Sequence, residues 1–347
     1  MKLVSIIVSI VVTAGTIFPA AAADMTSGAG STFVYPLLTQ WAAAAKQAVG
    51  VTVDYRPAGS GVGIQRIING AVTFAATDMP LAPSDIAANH LVQFPLVAGA
   101  VVPVFNLPGI ETGALILDGP TIAKIFLGEI KRWDDPAIAA LNPRLRLPDA
   151  AITVVHRADA SGTTFIWTDY LSKISQQWQK KIGEDLVVDW PSGVGAKGND
   201  GVLMDVAQTV GAIGYVEYAY ANHSDLSIAS IINLAGKAVA PTPAAFQAAA
   251  AGIDWRSAPD FGFDMTNAPG EASWPVAGAT FILMKAVPFD AAGSAAALKF
   301  FDWAYKGGGG IATDLGYVPM PQNAVALIER LWTQKIKTGG GAPVSRP

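Results

Sequence analysis

Cysteine is missing from the whole chain of 347 residues. No disulfide can staple the fold, so a compact state has to rest on buried apolar surface, which a chain of this length can supply. Charge is scarce as well. Only 14% of residues are Asp, Glu, Lys or Arg, against 51% hydrophobic, a balance that excludes an intrinsically disordered chain. The charge that is present leans acidic, at −4. Nucleic acid is therefore a poor partner, and any bound anion has to be attracted locally. The three histidines, His90, His156 and His223, are scattered without an HExxH or comparable spacing, so no metal site and no cofactor are expected. No internal repeat is visible. Glycine-rich strings occur, but none has the GxxxxGK(S/T) spacing of a P-loop, and Gly59–Gly63 brings its third glycine one residue early for GxGxxG.

Long apolar runs are few. One opens the chain: Lys2, an apolar core from Leu3 to about Ile17, then Ala21, Ala22 and Ala23. This pattern predicts a secretory signal over residues 1–23 with an A-x-A cleavage site, leaving a mature chain from Asp24. An uncleaved membrane anchor is the competing reading, but the apolar core is short for a span. No cysteine follows to accept a lipid, so a secreted protein without a lipid anchor is expected. A second run, Leu96–Leu107, is broken by Pro103 and reads as a buried strand crossing between halves of the molecule. Trp274–Met284 reads as a second crossing strand.

Between these runs, short strands end in polar loops. Gly28–Phe33 leads into a helix through Trp41. The strand Val51–Tyr55 turns at Gly59–Gly63 into a helix at Ile64–Ile68. The strand Val72–Thr77 stops at Asp78, Met79 and Pro80. Further on come a helix at Thr121–Leu127, a glycine-rich loop at Gly193–Gly201, and a strand entering an aromatic helix over Gly211–Tyr220. An Ala-rich helix is expected at Pro241–Trp255. Two late helices run through Phe300–Tyr305 and Ala324–Ile336, and a flexible tail from Thr338 ends the chain. In open α/β sheets ligands lie outside the carboxyl ends of the strands, so the loops at Thr32, Ser60, Asp78 and Arg157 together outline a site. Taken singly, each has a plainer reading: Thr32 and Asp78 could cap a helix or a turn, and Ser60 could sit in an ordinary turn.

The stretch Ala151–Thr168 is the most informative. A strand at Ile152–Val155 is followed by Arg157, Asp159, Ser161, Gly162 and Thr163, and then a helix from Phe165 to Ile174. The first N–H groups of a helix have no internal partner and carry the positive end of the macrodipole, so the turn favours anions. Gly162 admits close backbone approach, Ser161 and Thr163 add hydroxyl donors, and Arg157 offers a planar fork suited to tetrahedral oxyanions. Asp159 can hold that guanidinium in place.

With these motifs in order, the chain resembles the periplasmic phosphate-binding proteins of phosphate ABC importers. The strings that carry the resemblance are Gly28–Phe33, Gly59–Ser60, Asp78–Leu81, Leu127–Asp135, Arg157–Thr163, Lys197–Gly201, Gly211–Ala221 and Phe300–Lys306. The resemblance implies an α/β fold of two lobes joined by two crossover strands, with residues 24–99 and 276–347 in one lobe and 100–275 in the other. It implies a monomer that binds inorganic phosphate in the interlobe cleft and delivers it to membrane permease subunits, with no enzymatic activity. It further implies Thr32, Phe33, Ser60, Asp78, Arg157, Ser161, Gly162 and Thr163 as the phosphate ligands, with Asp159 paired to Arg157. Family members often carry a second Ser and then Gly-Gly after the first Ser; here Gly61, Val62 and Gly63 follow Ser60, which leaves that loop fewer side-chain donors.

On this reading, nearly every ligand is a donor and Asp78 is the acceptor, so the anion has to bring a proton. Phosphate and arsenate do; sulfate at neutral pH does not. Another oxyanion and a secreted phosphate scavenger are the alternatives. A phosphate-ester hydrolase would need a nucleophile with a base, and neither Ser60 nor Ser161 has an evident one.

Overall fold

The computed structural model describes residues 24–255 and 259–344. The expected signal, 1–23, lies outside the described residues. In chain order the strands are β1 (Asp24–Gly30), β2 (Val51–Pro57), β3 (Phe74–Thr77), β4 (Leu91–Phe105), β5 (Ile116–Asp118), β6 (Thr153–Arg157) and β7 (Val194–Ala196). They continue as β8 (Ala212–Glu217), β9 (Ser227–Ile228), β10 (Ser230–Ile232), β11 (Ala238–Val239), β12 (Ala277–Lys285) and β13 (Val318–Pro319).

The main sheet runs β2-β1-β3-β12-β4-β8-β6-β7, and a small sheet runs β11-β10-β5. One half of the main sheet holds β2, β1 and β3 in parallel, with β12 antiparallel to β3. The other half holds β8, β6 and β7, parallel to one another. Strand β4 belongs to both. From Leu91 to Ala100 it pairs with β12, and from Val101 to Phe105 with β8. Every residue of β4 is buried, which is why it reads as one apolar run rather than an alternating pattern.

Helices cover the sheet by burying one stripe each. Helix Tyr35–Val49 buries Leu37, Leu38, Trp41 and Ala45, spaced to share a face, and the Trp41 indole N–H donates to the Gly308 carbonyl at 2.9 Å. Helix Ser60–Ile68 lies so close to β1 that a Cβ at Gly63 would stand 2.6 Å from the Gly30 Cα and 2.8 Å from the Ala29 carbonyl oxygen. Both neighbours are backbone and cannot swing aside. Gly63→Ala is therefore expected to destabilise the protein by about 1–3 kcal/mol, read as a lower urea midpoint at unchanged slope. An unchanged midpoint would show that the helix can lift off the strand at no cost.

Several expectations need correction. β4 begins at Leu91, five residues before the apolar run suggests. Gln93 and Pro95 interrupt the apolar pattern, yet both fit. The Gln93 side chain accepts from the Leu81 N–H (2.8 Å) and donates to the Asp260 carbonyl (3.0 Å), and Pro95 faces β12 at a register shift. The glycine-rich segment 193–201 contains a strand, β7, paired on β6. The Ala-rich helix spans only Pro243–Ala250, with Thr242 as its cap. The tail is tied down as far as Val344. Lys337 bridges Pro343, the Val344 N–H donates to the Ile336 carbonyl at 3.0 Å, and Val344 is buried. Among the described residues no helix is long and apolar enough to cross a membrane.

Candidate anion-binding site

Asp78 stands directly after β3 and is 2% exposed. It does not cap the turn before Pro80. Its carboxylate collects hydroxyl donors from three separate segments: Ser31 Oγ at 2.8 and 2.6 Å, Thr280 Oγ1 at 2.7 Å and, more loosely, Ser60 Oγ at 3.5 Å. The Asp78 N–H in turn donates to Ser60 Oγ at 3.3 Å. Burial pushes the Asp78 carboxyl up to about 6; the hydroxyls of Ser31, Thr280 and Ser60 and the charge of Arg157 pull the other way and fall short.

Arg157 closes β6, on the other half of the sheet, and is 3% exposed. Its N–H donates to the Tyr215 hydroxyl at 3.1 Å, which anchors the backbone. Its guanidinium grips Asp159 through Nε (2.8 Å) and Nη2 (2.5 Å). Asp159 also accepts the Gly198 N–H at 3.0 Å. Burial alone would raise the Asp159 carboxyl, but the bonds and charge of Arg157, with the Gly198 N–H, override it and hold it below the usual range. That leaves Nη1, which is buried and has no hydrogen-bond partner among the described residues. Buried polar groups are nearly always paired, and a charged donor costs the most to leave alone.

Ser161 caps helix Gly162–Ile174, its Oγ accepting from the Thr164 N–H at 3.1 Å. The helix start faces Asp78 from across the sheet. A Cβ at Gly162 would lie 2.4 Å from Asp78 Oδ2 and 2.5 Å from Ser60 Oγ, so glycine alone allows the two sides to meet here. Elsewhere the sides touch through the Gly61 N–H on the Ala160 carbonyl (3.1 Å) and the Tyr220 hydroxyl on the Thr32 carbonyl (2.8 Å).

All nine residues singled out from the sequence thus gather in one cluster. Thr32 is not a helix cap; the following helix has Val34 at that position, without a side-chain cap. The Phe33 N–H is already held by Ser31 Oγ at 2.9 Å, and its ring packs edge-on against Tyr317. Cavities of about 200 and 430 Å³ flank the cluster, the first bordered by Thr32, Asp159 and Tyr220, the second by Asp78, Phe165 and Met265.

Sequence reasoning missed the roles of Ser31, Thr280, Asn199 and Glu217. Ser31 adjoins a residue that was picked, and a polar residue inside the apolar run 274–284 is a signal that could have drawn attention to Thr280. Glu217 is fully buried at the end of β8, accepts from the Ala219 N–H and the Tyr317 hydroxyl, and has its carboxyl pushed up by burial. Chemically, the cluster offers many donors, the Asp78 carboxyl that gathers hydroxyls from three segments, and the Asp159 carboxyl paired to Arg157. His156 is not a base for either serine, since it stacks on Trp190 at 4.7 Å. Among the described residues, no three His, Asp or Glu are grouped to hold a metal ion.

Residues 19–306 match the PBP superfamily domain. The phosphate-binding protein PstS of Xylella fastidiosa (strain 9a5c) is 48% identical over 311 residues, spanning 90% of this chain and 85% of the relative. The phosphate-binding protein PstS of Pasteurella multocida (strain Pm70) is 46% identical over 319 residues, 92% of this chain and 93% of the relative. The chain belongs to this family. A solved DING protein aligns with a TM-score of 0.74 at 19% identity, covering 93% of this chain and 99% of that one. PfluDING, a high-affinity periplasmic phosphate-binding protein solved with phosphate, aligns at 0.71 and 22% identity with the same coverage. At such identities the likeness is one of fold, two α/β lobes; β4 pairs with strands of both halves of the sheet, whereas β12, expected from the sequence to cross as well, pairs only with β3 and with the Leu91–Ala100 part of β4.

Proposed function

We propose that the protein captures inorganic phosphate between its lobes in the periplasm and hands it to the membrane permease subunits of an ABC importer. The lobes are residues 24–99 with 276–347, and 100–275; the change of partner along β4 after Ala100 supports that division. Thr32, Ser60 and Asp78 meet the anion from one side, joined by the Phe33 N–H once the anion displaces Ser31 Oγ from it, and Arg157, Ser161, Gly162 and Thr163 meet it from the other. Asp159 holds the Arg157 fork. The observation that carries the reading is the buried, unpartnered Nη1 of Arg157, whose other guanidinium nitrogens are engaged by Asp159, in a donor-rich cluster that also holds the buried carboxyl of Asp78. A phosphate oxygen satisfies the first, and its proton satisfies the second. Arsenate shares both features and is expected to compete.

Phosphate at a hundredfold excess over its dissociation constant should stabilise the fold by ~2.7 kcal/mol through mass action. It should also contract the radius of gyration as the lobes close. Calorimetric titration, thermal melting and small-angle scattering test this together. No heat of binding and no rise in melting temperature with phosphate would defeat the proposal.

A further inference from the structure

We infer, on the phosphate reading above, that Asn199 is a positioning residue of the site: it fixes the hydroxyl groups of Thr32 and Thr163, one from each side of the cleft, as donors to the bound anion. Asn199 is fully buried in the first turn of helix Gly198–Gln208. Its Oδ1 accepts from the Glu217 N–H at 3.0 Å. A backbone N–H can only donate, so this bond sets which way the amide faces. The two hydrogens of Nδ2 are then left for Thr32 Oγ1 at 2.8 Å and Thr163 Oγ1 at 3.4 Å. A hydroxyl has one donor and two acceptor sites. With an acceptor site of each oxygen taken by Asn199, each threonine keeps its own proton, and among the described residues no side chain accepts either one. Both protons are therefore available to an anion lying between them.

The neighbouring bond strengthens the arrangement. The Gly198 N–H holds Asp159, which holds the Arg157 fork. One helical turn thus sets the register of the guanidinium and of both hydroxyls. Because Thr32 follows β1 and Asn199 follows β7, the same amide ties donor orientation to the approach of the two sides.

A thermodynamic cycle on phosphate affinity tests this, using Asn199→Ala, Thr32→Val and the double variant, with ligand-free melting temperatures as the check on folding. Asn199→Ala should weaken phosphate binding by roughly ten- to a hundredfold, as expected for hydrogen bonds to a charged partner. In the Thr32→Val background the same substitution should cost several-fold less, the residue being its contact with Thr163. In a Thr32→Ser background, where the hydroxyl is kept, the full penalty should return. Should Asn199→Ala fail to fold, Asn199→Asp keeps the shape, and its added charge acts in both backgrounds and cancels in the ratio. An equal penalty with and without the Thr32 hydroxyl overturns the role of Asn199, as does unchanged affinity in a folded variant. A wild-type protein that takes up no phosphate overturns the phosphate reading itself.

Discussion

Arg157→Ala is expected to weaken phosphate binding by about a hundred- to a few thousandfold, since truncating one member of a buried, hydrogen-bonded charge pair costs roughly 3–5 kcal/mol. Two losses add. The anion loses a charge-assisted bond from Nη1, the donor that nothing in the protein engages. Asp159 then remains beside the anion without its counter-charge, although the Gly198 N–H still holds it. The ligand-free protein should suffer less, because that N–H and the anchoring of the residue 157 backbone by Tyr215 survive the change. Arg157→Lys is the sharper control. An ammonium keeps the charge but cannot span Asp159 through two nitrogens while offering a third outward. Its affinity should fall between wild type and Arg157→Ala. Calorimetric titration of the three proteins, with circular dichroism to confirm folding, gives the answer. A folded Arg157→Ala protein that binds phosphate like wild type would remove this loop from the site.

How much of this was legible in the sequence follows from where each signal resides. Loops at the ends of β1, β3 and β6 are local: a short apolar stretch stops, polar residues and glycine follow, and a helix begins. Spacing marks out the loops around Thr32, Asp78 and Arg157; their assignment as ligands comes with the family resemblance. The two long apolar strands announce themselves because β4 and β12 are covered on both faces and need no alternation. What stayed hidden is held by contacts between distant segments. Thr280 reaches Asp78 across 202 positions, and Asn199 reaches Thr32 across 167. Nothing near Asn199 shows that its side chain ends in a polar cluster, and Thr280 shows only as a polar residue inside an apolar run, with no sign of its partner. β7 hid for another reason: it is a three-residue edge strand with Val194 and Gly195 exposed, so it buries too little to leave a hydrophobic pattern. The tail looked loose because Gly339–Gly341 dominates its composition, while its anchor is the single buried side chain of Val344.

Asp78→Asn should stabilise the ligand-free protein and abolish much of its preference for phosphate over sulfate. The stability effect follows from the buried carboxyl. Its value in the folded protein is about 6, against 3.8 for an ordinary aspartate. Between those two values the folded state holds more protons than the unfolded state, so wild-type stability falls as pH rises from about 4 through about 6 and then levels off. At neutral pH the charged form costs up to about 3 kcal/mol, from 1.36 kcal/mol per pH unit. Asn carries no charge to bury, so the variant should lack that slope and be more stable at pH 7, by less than the full amount because Ser31 and Thr280 exchange a carboxylate for an amide oxygen. Glu217 is also buried and pushed up, chiefly by burial and in small part by the Asp78 charge, so removing that charge eases Glu217 in the same stabilising direction. For binding, the carboxylate can only accept, which suits a protonated anion and repels sulfate; the amide brings an NH₂ donor in the same shape. A site built around one such bond can discriminate by ~10⁴–10⁵, so the phosphate-to-sulfate ratio has orders of magnitude to lose. Urea unfolding across pH 4–8 and competitive titration of both anions at pH 7 measure the two effects separately. An unchanged selectivity ratio would remove Asp78 from the anion's surroundings, and the physical reason for choosing phosphate would go with it.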